Sequence, residues 1–439
     1  MALAGTTLAG LPSAHAFSTE AGAAASLHHN GAGKPGDAPM RGVILLAAEG
    51  GEGGEGGGES GGGGEGGEGG GVAPEAGYSL NSTNPGDYKY DATAEIAAYA
   101  AGVSSSYEAS VAEAKKLQSA VNELLANPTD AALAAARRAW VVARPAYLVT
   151  EAYRFYDGPI EELEGQINAW PMNEAFVDYV EGNPKAGIIN DGSEISIKEI
   201  IARNQVSDEN DVTTGWHAIE FLLWGQDLNP DGPGNRPASD YVAGKDNNDR
   251  RRAYLLAVTD QLVADIETVA GHWQPGSGDY AGKFVALPPR EAIGRILNGV
   301  AVLAGFEFMS ERLAVGLDSG DQEDEHSCFS DTTHQDFVYD LKGIENVWTG
   351  AHNGAPGAGL KGLVEKVDPA TAAEIDGLLA DATAKLAALG DPWDKVLATP
   401  EGSPERAKGE EAVAALQALG AGFKTVGAKL GVLVQIPSG

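Results

Sequence analysis

Apolar residues recur at three- and four-residue spacing along most of the chain beyond residue 85, and runs of alternating β-branched residues are few. This spacing is the period of an amphipathic helix. It predicts one helix within 213–227 and seven longer ones, at 94–127, 129–156, 249–273, 289–317, 334–350, 369–389 and 405–432. Asn127 or Thr129, and Asp368, are residues of the types that cap helix starts. The sequence therefore predicts an all-α fold.

The helical part of the chain shows a weak internal repeat. A long helix, a short loop and a second long helix occur at 94–156 and again at 369–432. This pattern predicts two related helical bundles. Gly and Pro are concentrated at 273–288, where we expect the boundary. The predicted bundles are therefore 85–275 and 276–439.

The first 84 residues differ from the rest in composition. "MALAGTTLAGLPSAHA" is apolar and ends in the small-x-small pattern of a signal cleavage site, although it lacks a basic start. Residues 47–72 form a Gly/Glu repeat that cannot bury apolar surface. We therefore expect 1–84 to hold a signal-like segment and a disordered, flexible tether. The expected location is the periplasm or another extracytoplasmic compartment.

The chain carries 63 acidic and 30 basic residues, a formal net charge of −33. This balance disfavours nucleic acid or an anionic membrane surface as a partner and suits a cationic ligand; the alternative is that the charge serves solubility alone. Cys328 is the only cysteine, so neither an intramolecular disulfide nor a thiolate zinc cluster can form. No apolar run approaches the roughly 18 residues of a transmembrane helix.

The stretch "GWHAIEFLLWGQD" places unusual polar residues in an apolar helix. At helical spacing His217, Glu220, Trp224 and Asp227 fall on one side, which predicts the wall of a half-buried pocket. An imidazole and a carboxylate at i and i+3 can reach one divalent ion. The alternative is a partly buried His217 that is satisfied by Glu220 without any ligand.

A second stripe lies on the predicted helix 129–156. It consists of residues spaced by 4, 3, 4 and 4: Trp140, Arg144, Tyr147, Glu151 and Phe155. Pro145 is expected to kink this helix, because it removes an internal hydrogen bond. Two interpretations stay open: an Arg144–Glu151 ion pair packed in the core, or Glu151 or Arg144 facing the same pocket as His217.

Acidic residues crowd around His326 in the stretch 316–336, which also contains Ser327, Ser330 and His334. Such a loop could supply oxygen and nitrogen ligands for iron, zinc or calcium, or it could be a solvated acidic loop. Cys328 is expected to be a packed residue. The sequence has no H-E-x-x-H, G-x-S-x-G, Walker A or C-x-x-C-H motif.

Three blocks of the sequence, in order, resemble one family. "GWHAIEFLLWGQD" is similar to the G-x-H-x-x-E motif of the imelysin-like family, also called the M75 peptidase family. "RAWVVARPAYLVTEAYRFYDGPIE" followed by "INAWPMN" resembles the first block of that family, and "SERLAVGL" with "DEHSCFSDTTHQDF" resembles its iron-regulated protein A branch. The resemblance covers about residues 85–435. It implies an all-helical protein of two bundle-like halves, an extracytoplasmic location and a site in the cleft between the halves.

Carried onto this sequence, the resemblance implies residues in three blocks: Gly215, His217 and Glu220; Trp140, Arg144 and Glu151; and Glu325, Ser327 and Ser330. The leading hypothesis is an exported protein that binds a divalent metal, iron or zinc, and is connected with iron uptake or sensing. Its predicted ligands are His217, Glu220, Glu151, Glu325 and His326. The cleft is predicted to be lined by Trp140, Arg144, Gly215, Trp224, Ser327 and Ser330.

Two other functions stay open. One is an M75-type metallopeptidase with Glu220 or Glu151 as general base, although the sequence does not show the three protein ligands of a zinc hydrolase. The other is a cleft that binds an anionic or sugar-like ligand through Arg144 and the tryptophans. Expected partners are a metal ion or small ligand and membrane-associated iron-uptake components, but not nucleic acid.

Overall fold

The computed structural model describes residues 77–84, 86–229, 232–276, 279–355 and 357–437. Most of them are helical, which confirms the all-α prediction. In chain order the helices are α1 (Thr93–Ala126), α2 (Asp130–Leu148), α3 (Glu164–Ile167), α4 (Glu174–Val177), α5 (Ile197–Ile201), α6 (Gly215–Trp224), α7 (Asn248–Trp273), α8 (Asp279–Val285), α9 (Pro289–Val302), α10 (Val315–Ser319), α11 (Thr333–Thr349), α12 (Leu360–Val367), α13 (Pro369–Ala387), α14 (Asp394–Leu397) and α15 (Pro404–Leu430). Short 3-10 turns lie at Glu151–Tyr153, Ala238–Tyr241 and Gln322–Asp324.

Two short strands were not predicted. β1 (Gly77–Leu80) pairs antiparallel with β2 (Val432–Gln435), with Gly77 opposite Gln435. The strand β1 lies inside 1–84, the segment assigned to the leader and tether, so ordered structure starts by residue 77. The predicted signal-like segment and Gly/Glu repeat lie outside the described residues.

The long helices pack in two sets. In the first, α1 lies against α2 and α7, and α6 packs between α2 and α7. In the second, α15 packs against α13, α9 and the segment that follows α9. Helix α11 contacts both α2 and α13, so it joins the two sets. The division into bundles at 85–275 and 276–439 stays a prediction.

Side-chain caps define several helix starts. Thr129 accepts a hydrogen bond from the Ala132 amide at 3.2 Å, and Asp368 accepts from the amides of Ala370 and Thr371. These bonds satisfy amides that have no partner within the helix. The predicted caps Thr129 and Asp368 are therefore confirmed.

The predicted single helix over 129–156 is wrong, because α2 ends at Leu148. Pro145 lies in its last turn and offers no amide to the helix. The Thr150 hydroxyl then donates to the Tyr147 carbonyl at 2.6 Å, and a 3-10 turn at Glu151–Tyr153 redirects the chain. Glu151 consequently leaves the stripe that begins at Trp140.

The helix from Pro289 to Ser319 is continuous, but its middle part, Leu303–Ala314, is a π-helix. Among the described helices this one has the length and apolar composition of a membrane span, and 78% of the relevant window is buried inside the protein. Such burial is typical of a core helix.

Candidate functional site

The start of α6 depends on glycine at position 215. Gly215 has φ of +82°, a conformation that side chains other than glycine rarely adopt. A Cβ there would lie 2.8 Å from the Gln166 carbonyl oxygen and closer still to that of Ile167. The first residue of the G-x-H-x-x-E motif therefore lets α6 begin tightly against α3. All ten residues of α6 are buried, so the predicted half-buried wall is part of the core.

His217 and Glu220 form a hydrogen-bonded pair inside the protein. The His217 Nδ1 and Glu220 Oε2 atoms are 3.0 Å apart. The other carboxylate oxygen of Glu220 accepts from the Ser330 amide at 3.0 Å and from the Ser330 hydroxyl at 2.6 Å. The carboxylate thereby connects α6 to the loop before α11.

His326 has a similar carboxylate neighbour. Its Nδ1 lies 2.8 Å from Asp336 Oδ2, although the ring N–H does not point along that line. The Ser327 hydroxyl donates to the same oxygen at 2.6 Å. Trp170 packs edge-on against the His326 ring, with centroids 5.5 Å apart. The ring centroids of His217 and His326 are themselves only 4.9 Å apart.

Arg144 lies between the two histidines. Its Nη2 is 3.2 Å from His217 Nε2 and 3.4 Å from His326 Nε2, and its Nη1 donates to Asn168 Oδ1 at 2.5 Å. A guanidinium can only donate, so both Nε2 atoms must accept. A neutral imidazole then carries its proton on Nδ1, the atom that faces Glu220 or Asp336. The Nε2 lone pairs of His217 and His326 therefore both point at Arg144 Nη2.

Burial controls the charge of these groups. Burial, followed by the positive charge of Arg144, holds the pKa of His217 well below its usual range. Burial, followed by Arg312 and Arg144, does the same for His326. Both imidazoles are neutral at physiological pH. Burial raises the pKa of Glu220 to about 8, even though the Ser330 hydroxyl and Arg144 act in the opposite direction.

The Glu220 shift predicts a pH-dependent stability. Between pH 4.5 and about 8 the unfolded chain loses the Glu220 proton while the folded chain keeps it, so stability falls as pH rises through this window. Glu220→Gln cannot ionise and keeps an oxygen for Ser330. Its stability relative to wild type is expected to improve by on the order of 1 kcal/mol per pH unit. Thermal unfolding from pH 5 to pH 8 measures this, and a constant difference would contradict the assignment.

Glu151 belongs to a neighbouring buried network. Its Oε2 accepts from Arg154 at 2.7 Å and from Arg312 at 2.5 Å. Arg312 also contacts Glu307 at 2.9 Å and Asp340 at 2.9 Å. Glu151 therefore pairs with Arg154 and Arg312, and not with Arg144 as one of the two interpretations of the stripe had it.

The π-helix creates one of these contacts. In a π-helix the hydrogen bonds run from i to i+5, so residues five apart lie above one another, whereas an α-helix aligns residues three or four apart. Glu307 and Arg312 are five apart, and both lie in the π segment. The Arg312 Nε and Nη2 atoms reach Glu307 at 3.2 Å and 2.9 Å. π segments are frequent at functional sites.

The family model of imelysin, the M75 peptidase family, matches residues 103–421. The chain belongs to the imelysin family. It is 25% identical over 321 residues to iron-regulated protein A of Synechococcus elongatus, which covers 71% of this chain and 79% of that one. Two crystal structures share the fold of this imelysin at 16% identity. An iron-regulated protein A precursor from Parabacteroides distasonis has a TM-score of 0.62 and covers 79% of this chain and 97% of its own. An imelysin-like protein from Psychrobacter arcticum has a TM-score of 0.58, with 80% and 99% covered.

The structure of this imelysin brings together predicted residues from all three blocks: Arg144, His217, Glu220, His326, Ser327 and Ser330. Trp140 borders the same site, because the Arg144 guanidinium lies 5.7 Å from its ring centroid. It also packs edge-on with Trp216 and Trp224 and supports α6 by donating to the Trp216 carbonyl. Glu325 is grouped with carboxylates of other segments.

Helix α6 ends at Trp224, and Gly225 has φ of +75°, so Asp227 leaves the predicted stripe. His334 contacts the Leu386 carbonyl at 3.1 Å and does not join the metal ligands that the loop was expected to supply. Burial raises the pKa of the Cys328 thiol well above its usual range, as suits a packed residue.

Sequence reasoning did not identify four residues of the site and its network: Asn168, Trp170, Asp336 and Arg312. Asn168 and Trp170 lie in "INAWPMN", and Asp336 ends "DEHSCFSDTTHQD", so both blocks contained the information. The spacing of these residues gave no reason to select them. Arg312 could not be selected, because the spacing of an α-helix does not predict the contact between residues five apart that the π-helix creates.

Among the described residues no group of three or more His, Cys, Asp or Glu side chains is placed so that it could hold a metal ion as it stands. Imidazole nitrogens nevertheless have the right chemistry for iron or zinc. A ligating histidine usually donates its second N–H to a carboxylate, which orients the ring. Glu220 is hydrogen-bonded to His217 in this manner, whereas Asp336 lies 2.8 Å from His326 Nδ1 without the ring N–H pointing at it. The two imidazoles therefore offer nitrogen donors of the right type, and Arg144 lies between them.

Proposed function

We propose that this imelysin binds a metal ion, with iron as the first candidate, through the Nε2 atoms of His217 and His326. The observation that supports this most is the pair of neutral imidazoles 4.9 Å apart, both with Nε2 directed at the Arg144 guanidinium. Because the imidazoles are neutral, protons do not compete for these nitrogens at physiological pH.

Arg144 occupies the position that a metal would need. Its Nη2 group donates to the Nε2 lone pairs of both His217 and His326. A guanidinium has no acceptor atom, so it cannot itself bind a metal ion. The metal must therefore displace Arg144, whose Nη2 now also lies 3.6 Å from Asp336 Oδ2. Arg144 would then act as the group that keeps the two nitrogens apart from solvent in the metal-free protein.

The family tie supports iron as the ion. Relatives bear the name iron-regulated protein A, and one is described as a precursor. On the strength of these names we propose for this chain a role in iron uptake or sensing and export from the cytoplasm. Membrane-associated iron-uptake components would then be its partners.

Metal analysis tests the site. Purified full-length protein, without an affinity tag, is incubated with Fe²⁺ under anaerobic conditions or with Zn²⁺, dialysed and analysed by mass spectrometry. We expect close to one metal per chain in wild type and loss of at least tenfold in affinity for His217→Ala/His326→Ala, because both nitrogen ligands are removed. His334→Ala is the matched control, since that imidazole contacts the Leu386 carbonyl at 3.1 Å. No binding by wild type would sink the proposal.

A ligand with hydrogen-bond acceptors is the second candidate. The Arg144 Nε, Asn168 Nδ2 and Trp170 Nε1 atoms are buried donors without a hydrogen-bond partner around the histidines. An anionic or sugar-like ligand would satisfy them. Thermal shifts with small carboxylates or sugars that are independent of metal, and that Trp170→Phe abolishes, would favour this candidate.

Peptide hydrolysis has less support, because zinc hydrolases use three protein ligands and an open water position.

A further inference from the structure

The connection between α11 and α12, residues 350–359, is a closed loop that lies on α1. Its two ends, Gly350 and Gly359, lie backbone against backbone, so closely that a Cβ on either residue would overlap the other. Within the loop, the Asn353 side-chain amide donates to Ser105 Oγ of α1 at 3.3 Å. Loops whose ends meet form compact surface units, and such units can open locally while the rest of the protein stays folded.

His352 anchors this loop to the helix. The side chain is buried, and its ring lies against Gly102 of α1, where a Cβ would overlap the imidazole. Its Nδ1 atom is 2.9 Å from the Tyr153 hydroxyl, which is itself 3.1 Å from the Ser106 hydroxyl of α1. The absence of a side chain at residue 102 therefore makes the room that the imidazole fills.

A small cavity lies between the loop and the helices on which it packs. The loop contributes His352 and α1 contributes Glu95 and Tyr99, whereas α9, α11 and α12 contribute aliphatic side chains to the described lining. The Glu95 carboxylate is paired with Lys366 of α12 at 3.3 Å, and the Tyr99 hydroxyl with that of Tyr156 at 2.9 Å. The charged and polar groups that face His352 across the cavity therefore already have partners.

This environment suits a neutral imidazole and not a charged one. Protonation makes both ring nitrogens donors and adds a positive charge, while the ring is covered by Gly102, the Tyr153 ring and the cavity wall. We propose that His352 is an acid-sensitive latch: when its imidazole takes up a proton, the 350–359 loop leaves α1 and the cavity opens to solvent. In the open loop the charged ring is hydrated, which removes the cost of burying it. Opening also frees the Tyr153 hydroxyl, which belongs to the 3-10 turn after α2.

The pH range of the latch follows from the burial of the imidazole. Burial lowers the pKa of His352 to about 4 in the closed form, against 6.5 for an ordinary histidine. Between these two values the open loop binds the proton and the closed loop does not, so the closed form loses stability as pH falls. From pH 7 to pH 5 the equilibrium constant for opening is expected to rise about twentyfold. The direction is opposite to that of Glu220, whose folded form gains stability as pH falls, so the two groups can be told apart.

Hydrogen exchange of the full-length protein, followed by mass spectrometry at pH 7 and pH 5, tests the latch. After correction for the intrinsic pH dependence of exchange, peptides that cover 350–359 are expected to exchange about twentyfold faster at pH 5 in wild type. His352→Asn keeps a hydrogen-bonding side chain but cannot take up the proton, so exchange in its loop is expected to be equal at the two pH values. His272→Asn is the matched control, because His272 is an exposed histidine of α7. It is expected to keep the wild-type pH dependence.

Gly102→Ala is expected to open the loop without a change of pH. A Cβ at residue 102 displaces the imidazole, so exchange in 350–359 should already be fast at pH 7 and should respond little to acid. Gly377→Ala is its control, since Gly377 also lies inside a long helix but a Cβ there meets nothing within 4 Å. Unchanged exchange of wild type between pH 7 and pH 5 would overturn the proposal. A pH dependence that survives in His352→Asn would overturn it as well, and its loss in Glu95→Gln would assign it to that carboxylate.

Discussion

Gly215→Ala is expected to destabilise the protein by about 3 kcal/mol or more and to abolish the proposed metal binding at His217. The residue combines a φ of +82° with main-chain contacts at which a Cβ cannot be accommodated. The start of α6 would have to move away from Ile167, and His217 and Glu220 would move with it. Thermal unfolding and metal analysis of the purified variant measure the two effects.

Gly192→Ala is the matched control for this variant. Gly192 has the same φ of +82°, yet a Cβ there would meet nothing within 4 Å. Its substitution is expected to lower the free energy of unfolding by about 1 to 2 kcal/mol, because alanine is strained at this positive φ even without a steric contact. The difference between the two variants therefore reports the close approach of α6 to α3. Equal losses of stability would show that the close approach is unimportant.

Arg312→Met is expected to cost about 3 to 5 kcal/mol, because it leaves buried carboxylates without their cation. Arg312 is buried and contacts Glu151, Glu307 and Asp340 at 2.5 to 2.9 Å. Methionine keeps much of the volume but none of the charge. The loss is measured as the change in the free energy of unfolding from urea titrations.

The pH dependence identifies the cause of that loss. Without Arg312 the folded-state pKa values of Glu151 and Asp340 rise further, and a raised folded pKa gives stability that disappears as pH increases. The difference between wild type and Arg312→Met should therefore widen as pH rises above about 7, where Asp340 and then Glu151 begin to ionise in the folded wild type. Arg203→Met is the control, since its ion pair with Asp191 is 36% and 44% exposed and is worth at most about 1 kcal/mol. A difference that does not change with pH would point to packing instead of charge.

Local patterns in the sequence were sufficient for most of the secondary structure. The helix predicted at 334–350 is Thr333–Thr349, and that at 369–389 is Pro369–Ala387. Asp368 could be recognised as a cap because it acts on amides two and three residues away. Such signals are contained within one or two helical turns, so a single sequence carries them in full.

The same patterns failed where a distant contact decides the local structure. Helical spacing placed Glu151 on the face of Arg144, but the chain turns after Leu148 and Glu151 pairs with Arg312, 161 residues away. The π-helix over Leu303–Ala314 likewise has no counterpart in the hydrophobic period, which continues through it.

The sequence by itself determined the helical class, most helix bounds, two caps and the candidate residues His217, Glu220 and His326. Only the tertiary structure decided which of these residues meet. It placed Arg144 between two imidazoles and brought Ser330 to Glu220 across 110 residues. The physical reason is that helix formation depends on neighbours within a few residues, whereas a buried polar site forms where separate helices and loops pack together, and spacing along one helix contains no record of its distant partners.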